Sequence, residues 1–489
     1  MTDKKTKVLV IGNSALGLGT AFQLSGFMKA EEIVVLGPSD RAGGATVAAG
    51  AMINVWAELT HGQFENPALR AKAEMTIQGM ALWEGLLQQI DSNTEAPPKI
   101  VWGTYVINNA FGSSGEIRST DYIIKQMSEK SIPHRLLKSE SVPWLAPSNH
   151  AAISRILEIP DGRVDPRKVL KAYENALKVR QVELVNDRAV EIRAGGGGGW
   201  GRKGGYLVRS ESGLSIEAEH VVLANGSFAQ KLVDQLPALR RQTPRLLWGA
   251  GSALDVSMPD WVRESGGIDP SIFQIDKVVR TVDRGGACGV HIVPYGEGEF
   301  YLGASSGVWF DPEPAPRAHA LHALLRGLME EINTGFFFSN IRLRGPGFRP
   351  VSSDTFPLLG QSEMPGIWFA NGTKRDGFTA SPFITCELAK AIVGQKHALP
   401  EIFLPSRKPI SWKSREEAIE DAVLSDYGGE IQHGLQIPPY VKGDYINLKK
   451  EKILKVYQKR GIKNFGIHPE ITHIYDNDRY FKETFGFSK

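Results

Sequence analysis

Behind a short charged lead, "MTDKKT", the chain runs through four consecutive apolar residues, Val8 to Ile11, and then meets glycine. An unbroken apolar run of that length predicts a strand buried on both faces, the pattern of a central parallel strand. Leu18, Ala21, Phe22 and Ser25 then recur at helical spacing. The segment therefore reads as strand, glycine turn and helix, and "EIVVLG" reads as the next strand. Further along, "NPALRAKAEMTIQGMALWEGLLQQI" has the helical period and "IVWGTYVINN" reads as a strand with aromatic content. "VDPRKVLKAYENALK" predicts a helix over 164–178, with Asp165 as cap and Pro166 as a preorganised first residue. "HVVLANGSFAQ" is another apolar strand that ends in a turn, and "GVHIVPY" and "EFYLGAS" pair across "GEGE". "GIWFANGTKRDGFTASPFITCELAKAIVG" gives a strand, a glycine-bearing loop and a long helix. Near the C-terminus, "LKKEKILKVYQKRG" predicts a helix with Ile453, Leu454 and Tyr457 inward and lysines outward, ended by Gly461. The run "AGGGGGWGRKGG", residues 194–205, is too glycine-rich for a core element and reads as a hairpin tip or inserted loop.

Composition narrows the class. At 489 residues the chain exceeds what one core usually fills, so two or three structural units are expected. Hydrophobic residues at 42% and charged residues at 23% are ordinary for a globular protein, which argues against a largely disordered or fibrous chain. A net charge of +3 gives no support to a nucleic-acid or membrane-surface role. Cys288 and Cys386 lack CxxC spacing and are expected to be reduced thiols. No signal-like stretch precedes the first strand, and no run approaches the roughly 18 apolar residues that a membrane span needs. A cytoplasmic protein is expected.

The glycine turn carries the first candidate chemistry. Gly12, Ser14 and Gly17 fall on the three positions of the GxGxxG dinucleotide fingerprint, with Ala15 and Leu16 opening the helix. Gly12 suits the tight turn and Gly17 the close packing of helix on strand, while the helix N-terminus offers N–H groups to a phosphate. Ser14 departs from the pattern, and its hydroxyl either crowds a pyrophosphate or donates to it. Gly37 stands where an acidic residue usually grips a ribose, leaving Ser39 or Asp40 as substitutes. "RAGGATVAAGAMIN" follows, a loop of small residues including Ala45, Thr46, Gly50 and Met52 that lets backbone pass close to a flat ring. Ala224 and Gly226 form a third glycine-lined edge; Gly347 in "GFRPVSSDTFPLLG" and the segment Arg375, Asp376, Gly377, Phe378 and Thr379 add a fourth.

In this order and at these separations, the segments resemble the D-amino acid oxidase superfamily of FAD-dependent oxidoreductases, most closely the branch of glycine oxidase and sarcosine oxidase. The resemblance covers roughly residues 7–400 and is most specific over 347–379. It implies a Rossmann-like α/β FAD-binding domain built from 1–60, 161–240 and 346–404. Interleaved with it would be an α+β substrate domain from 61–160 and 241–345, on a mixed or antiparallel sheet. Residues 405–489 form a C-terminal extension that the resemblance does not explain. Non-covalent FAD is implied, because the cysteine or histidine that tethers flavin in some members is missing here.

The resemblance also implies roles. Arg349 matches the arginine that grips the substrate carboxylate, Arg375 a second arginine of that pocket, and His291 a position where a tyrosine meets substrate. Each has a structural alternative: Arg349 paired with Asp354, Arg375 with Asp376, His291 satisfied on a sheet face. Met52 and Asn54 either wall the flavin or simply pack. The implied reaction oxidises the C–N bond of an amino acid or carboxylate-bearing amine, free or carrier-bound, to an imine. O2 would be the acceptor, giving H2O2. A dehydrogenase passing electrons to a quinone or partner protein is the runner-up, and a non-catalytic subunit of the same fold a third reading. In the tail, "HPEITHIYDND" gathers His468, Glu470, His473, Asp476 and Asp478, but Pro469 and the spacing argue against a metal site. The oligomeric state is left open.

Overall fold

The computed structural model describes residues 3–50, 52–90, 96–110, 114–195, 205–265, 270–282, 289–296, 298–432 and 434–486. The first strand, Lys4–Ile11, has its last four residues fully buried and lies inside an eight-stranded sheet. It pairs in parallel with Ile33–Leu36 on one side and Ser215–Leu223 on the other. Ile367–Asn371 and Glu183–Val185 extend the parallel sheet outward, and Leu358–Gln361 closes one edge antiparallel. Because the chain order reverses at the first strand, a crevice opens outside the carboxyl ends of Lys4–Ile11 and Ser215–Leu223, where α/β sheets of this kind bind ligands.

Helices Ala15–Leu24, Pro67–Ile90, Pro166–Val179 and Gly377–Ile392 bury one face of this sheet. The hairpin Ala189–Ala194 with Tyr206–Ser210 and the helices Ala229–Val233 and Pro237–Gln242 cover the other. Trp83, fully buried in the second of those helices, donates from its indole N–H to the Thr379 carbonyl at 3.0 Å. That bond fixes the first turn of Gly377–Ile392 over the crevice. The helix predicted over 164–178 runs Pro166–Val179, capped by the Asp165 carboxylate, which accepts from the Arg167 N–H. The glycine-rich tip over 196–204 lies outside the described residues; its flanks pair as a hairpin, with the Gly195 N–H donating to the Gly205 carbonyl. Cys386 is a free thiol, and Cys288 lies outside the described residues.

A nine-stranded sheet forms the second layer. Its order is Asn340–Leu343, Leu254–Ser257, Glu299–Gly303, His291–Gly296, Val278–Thr281, Val101–Asn109, Ile153–Arg163 and Met52–Ile53, with Arg135–Leu137 beside Ile153–Arg163. Only Val278–Thr281 and Val101–Asn109 run parallel, so the sheet is mixed and mostly antiparallel. A third sheet of three antiparallel strands sets Leu246–Gly251 between Gly307–Trp309 and Gly347–Ser352.

The extension beyond residue 405 builds its own core on that small sheet. Ile419, Val423, Val456, Tyr457, Ile471 and Ile474 pack with Leu247, Val308 and Val351. Helix Lys442–Arg460 buries Ile453, Val456 and Tyr457 and stops at Gly461, whose φ of +63° favours glycine. Among the described residues, no helix is long and apolar enough to cross a membrane.

Candidate active site

A cavity of about 510 Å³ occupies the crevice. At one end the turn after the first strand presses against the end of Ser215–Leu223: Gly12 has φ of +114°, and a Cβ there would run into the Ala224 carbonyl. A Cβ on Gly17 would collide with the Gly12 carbonyl, so the helix sits as close to the turn as backbone permits. Ser14 is the N-cap residue of helix Ala15–Leu24, yet its hydroxyl donates to the Ala224 carbonyl at 3.3 Å instead of capping the helix. The first-turn N–H groups and the positive end of the helix dipole thus face the cavity.

Gly37 also has a local cause. A side chain there would strike Asn13, whose amide donates to the Pro38 carbonyl at 2.8 Å. Ser39 is exposed with its N–H bound to the Asn186 amide oxygen, and the Asp40 carboxylate accepts from the Ala42 N–H. Neither lines the cavity; Arg41 does, held by the Asn13 carbonyl and paired with Glu174. Of the residues singled out from sequence, Gly12, Ser14, Ala15, Leu16, Ala45, Thr46, Gly50, Met52, Ala224, Gly226 and Gly347 line the cavity, as do Arg375, Asp376, Gly377, Phe378, Thr379, His291 and Arg349. Gly17 lies behind the wall and Ser39 outside it.

The opposite end is cationic. Arg349 comes from Gly347–Ser352, directly across from Gly249. Its guanidinium fills an alcove left by Gly251, where any Cβ would collide with it, and donates to the Ser305 carbonyl at 3.0 Å. Asp354 is held by Arg407 through two contacts of 3.0 Å. The loop bearing Arg375 is stitched to the Arg349 strand by the Lys374 N–H, which donates to the Pro350 carbonyl at 2.8 Å. Asp376 pairs with Lys72 at 2.7 Å, whereas Arg375 reaches Glu470 of the C-terminal extension at 3.3 Å. Lys374 lies 3.1 Å from the same carboxylate oxygen and 3.2 Å from Nε2 of His468. Thus His468 and Glu470, two of the tail residues that drew attention as metal-ligand types, form part of a cation network under Arg375.

A buried arginine and its half-buried partner escaped the sequence reading. Glu58 sits on the turn Trp56–Glu58, which the Asp161 carboxylate holds by accepting the Trp56 and Ala57 N–H groups at 3.1 and 2.9 Å. Its partner is Arg280, 1% exposed, at 2.6 Å. The available signal was a lone arginine inside the apolar run "KVVRTV", since a charge in such a run is buried only with a partner.

These surroundings set the protonation states. Burial opposes the charge on Glu58, but Arg280 and Arg375 outweigh it and hold its pKa down to about 2. Burial, aided by Arg280, pushes His291 down to about 3, so the ring is neutral; it stacks on Tyr301 with centroids 5.7 Å apart, and its buried Nδ1 has no hydrogen-bond partner among the described residues. Glu470 is held well below the usual carboxylate range because Lys374 and Arg375 overcome the cost of burial. Desolvation raises Asp161 to about 6 despite its backbone donors.

A histidine that titrates near 6.5 when unfolded and near 3 when folded stabilises the fold fully above that upper value and loses its contribution as pH falls through the window. Glu58 acts in the same sense between 4.5 and 2, while Asp161 acts oppositely between 3.8 and 6. His291→Gln is therefore expected to gain on the wild type in urea midpoint as pH drops from 7 toward 4, where its neighbours contribute equally to both proteins. A difference that stays constant with pH would show that the ring is not held neutral.

Comparison with known proteins follows the same lines. The family model described as FAD dependent oxidoreductase matches residues 7–391. A bifunctional protein ThiO/ThiG from Nostoc sp. is 24% identical over 402 residues, covering 80% of this chain and 53% of its own length. The chain thus spans about half the length of that curated relative. Glycine oxidase from Geobacillus kaustophilus superposes with a TM-score of 0.67 at 19% identity, covering 83% of this chain and 99% of its own. Iminodiacetate oxidase from Chelativorans sp. BNC1 does so with a TM-score of 0.64 at 20% identity, covering 82% and 100%.

Proposed function

Because the chain belongs to the FAD-dependent oxidoreductase family, we propose that it oxidises the C–N bond of an amino acid or carboxylate-bearing amine to the imine. The crevice fits the cofactor: at Gly12 and Gly17 only glycine leaves the approach open, and six lysines and arginines against three carboxylates line the cavity. The free N–H groups of helix Ala15–Leu24 and the cation Arg41 suit the pyrophosphate. FAD, when bound, supplies the acceptor for the hydride leaving the carbon beside nitrogen.

The chain's own side chains bind and orient. Arg349, fixed in its alcove, offers a planar guanidinium to the substrate carboxylate, which sets both position and angle. Neutral His291, stacked on Tyr301, lines the same cavity and shapes the substrate's seat. Tyr301 and Met52 complete a wall that keeps water away. In this reading the FAD domain is 1–60, 161–240 and 346–404 and the substrate domain 61–160 and 241–345, with FAD held non-covalently; the sharing of each sheet by distant segments supports the interleaving, while Met52–Ile53 joins the nine-stranded sheet and Gly347–Ser352 pairs with Leu246–Gly251 across those bounds. O2 is the acceptor in this reading, and hydrolysis of the imine yields an oxo acid and an amine.

The placement of Arg349 beside the glycine-lined crevice carries the proposal. Purified protein is expected to be yellow, to bleach anaerobically with glycine, sarcosine or another small amino acid, and to regain colour in air with one peroxide per turnover. Bleached protein that recovers only with a quinone would make it a dehydrogenase. Colourless protein that stays so with added FAD would make it a scaffold. Of the features that motivate the scaffold reading, namely Ser14, Gly37 and the C-terminal extension, the first two each have the local structural cause given above.

A further inference from the structure

The C-terminal extension lies beyond the segment that the family model covers, yet it reaches the cavity wall through loop 374–376. That loop lines the first cavity and also a second, of about 420 Å³, whose wall includes His468 and Glu470. It brings two arginines together. Val351 and Thr373 form an antiparallel bridge, and the Lys374 N–H donates to the Pro350 carbonyl at 2.8 Å. Arg349 and Arg375 stand one residue from that bond on either segment, and both line the first cavity. After burial and Arg280, both help to hold the His291 pKa down, so their fields reach the same ring.

Two guanidiniums brought close repel, and each keeps its place through acceptors of its own. Arg349 donates to the Ser305 carbonyl at 3.0 Å. Arg375 has Glu470, whose Oε1 lies 3.3 Å from its Nη2. The acid is itself held: its N–H donates to Nδ1 of His468 at 3.1 Å across the turn Pro469–Ile471, and the His468 ring meets Trp412 edge-on with centroids 4.2 Å apart. The Glu470 side chain is 4% exposed, whereas Arg375 keeps 18%. A guanidinium carries five N–H donors in one plane, so fixing one nitrogen sets the direction of the others.

We infer that Glu470 is a positioning residue: from the far side of loop 374–376 it fixes the plane of Arg375, so that Arg375 and Arg349 take the substrate carboxylate between them. The inference rests on reading the first cavity as the amine-oxidation site. It gives the extension a part in the reaction, exerted through a guanidinium on another segment. With glutamine at 470, Arg375 keeps its charge and loses its aim, and a misdirected fork binds a carboxylate poorly.

A double-mutant cycle between Glu470→Gln and Arg375→Ala tests this on the flavin-loaded protein. Glycine or sarcosine serves as reductant, and methoxyacetate, which has the shape of sarcosine without the amine, as a ligand that cannot be oxidised at nitrogen. Glu470→Gln alone is expected to lower kcat/KM for anaerobic flavin reduction about tenfold, through KM rather than kcat, a typical coupling within one network. The calorimetric Kd of methoxyacetate should rise by the same factor. In the Arg375→Ala background the same change should alter either quantity by less than about twofold, because nothing is left to aim. The thermal midpoint should fall in both backgrounds, since Lys374 loses the Glu470 carboxylate in each. Equal losses of kcat/KM and affinity in the two backgrounds, or none in either, overturn the inference. Coupled Kd values in a protein that no amine bleaches overturn the oxidation reading and leave the positioning role standing.

Discussion

Replacing Glu470 with alanine is expected to lower the free energy of unfolding by roughly 3 to 5 kcal/mol, the cost of stripping a partner from a buried charge pair. Here one carboxylate serves two cations, Lys374 with a side chain 5% exposed and Arg375 with 18%. Lys374 also holds a left-handed backbone, φ +52°, that its contacts must maintain. Without the acid, both cations lose the carboxylate they share while their side chains stay largely buried. Glu470→Gln, which keeps an acceptor, should cost less. Since the folded carboxyl titrates far below its ordinary value of 4.5, the contribution is complete above that pH and declines only as pH falls beneath it. Urea unfolding of the three proteins at neutral pH measures the effect. A Glu470→Ala midpoint indistinguishable from wild type would mean that Lys374 and Arg375 find their compensation elsewhere.

Arg349→Ala is expected to lower kcat/KM by roughly 10- to 150-fold while the protein stays yellow, because about 1.5 to 3 kcal/mol of charge-assisted hydrogen bonding to the substrate carboxylate disappears. Flavin content should hold, since the nucleotide end of the cavity is built by Gly12, Gly17 and helix Ala15–Leu24, on a different sheet from Arg349. Arg349→Lys should recover little, as a point charge lacks the fork that fixes the angle of a carboxylate. Stopped-flow flavin reduction separates apparent affinity from the reduction step. Unchanged values of both in the alanine variant would abolish the carboxylate clamp and with it the amino-acid reading.

What was legible in the sequence is what local physics dictates. Val8–Ile11 announces a buried strand because no polar residue interrupts it, and Gly17 announces close backbone because the Gly12 carbonyl it must clear belongs to the same short turn, whereas Gly12 is pressed by Ala224, far off in the sequence. Gly37 was opaque for the opposite reason: its meaning lies in the side chain of Asn13, across from it on the adjoining turn. Arg375 could be placed in the pocket but not matched to Glu470, 95 residues later, nor Arg280 to Glu58, 222 residues earlier. A buried charge tells the reader that a partner exists and is silent about its address. The tail showed its helix and the stop at Gly461, yet periodicity says nothing about which surface an apolar face will cover.

Synthesis by the ribosome runs from residue 1 upward, and the C-terminal helices seat themselves on the very strands that present Arg349. The crevice is fully encoded by residue 379, yet its floor waits for His468 and Glu470. A product clipped ahead of residue 468 would leave Leu247, Val308 and Val351 short of their apolar cover and Lys374 and Arg375 without the carboxylate they share.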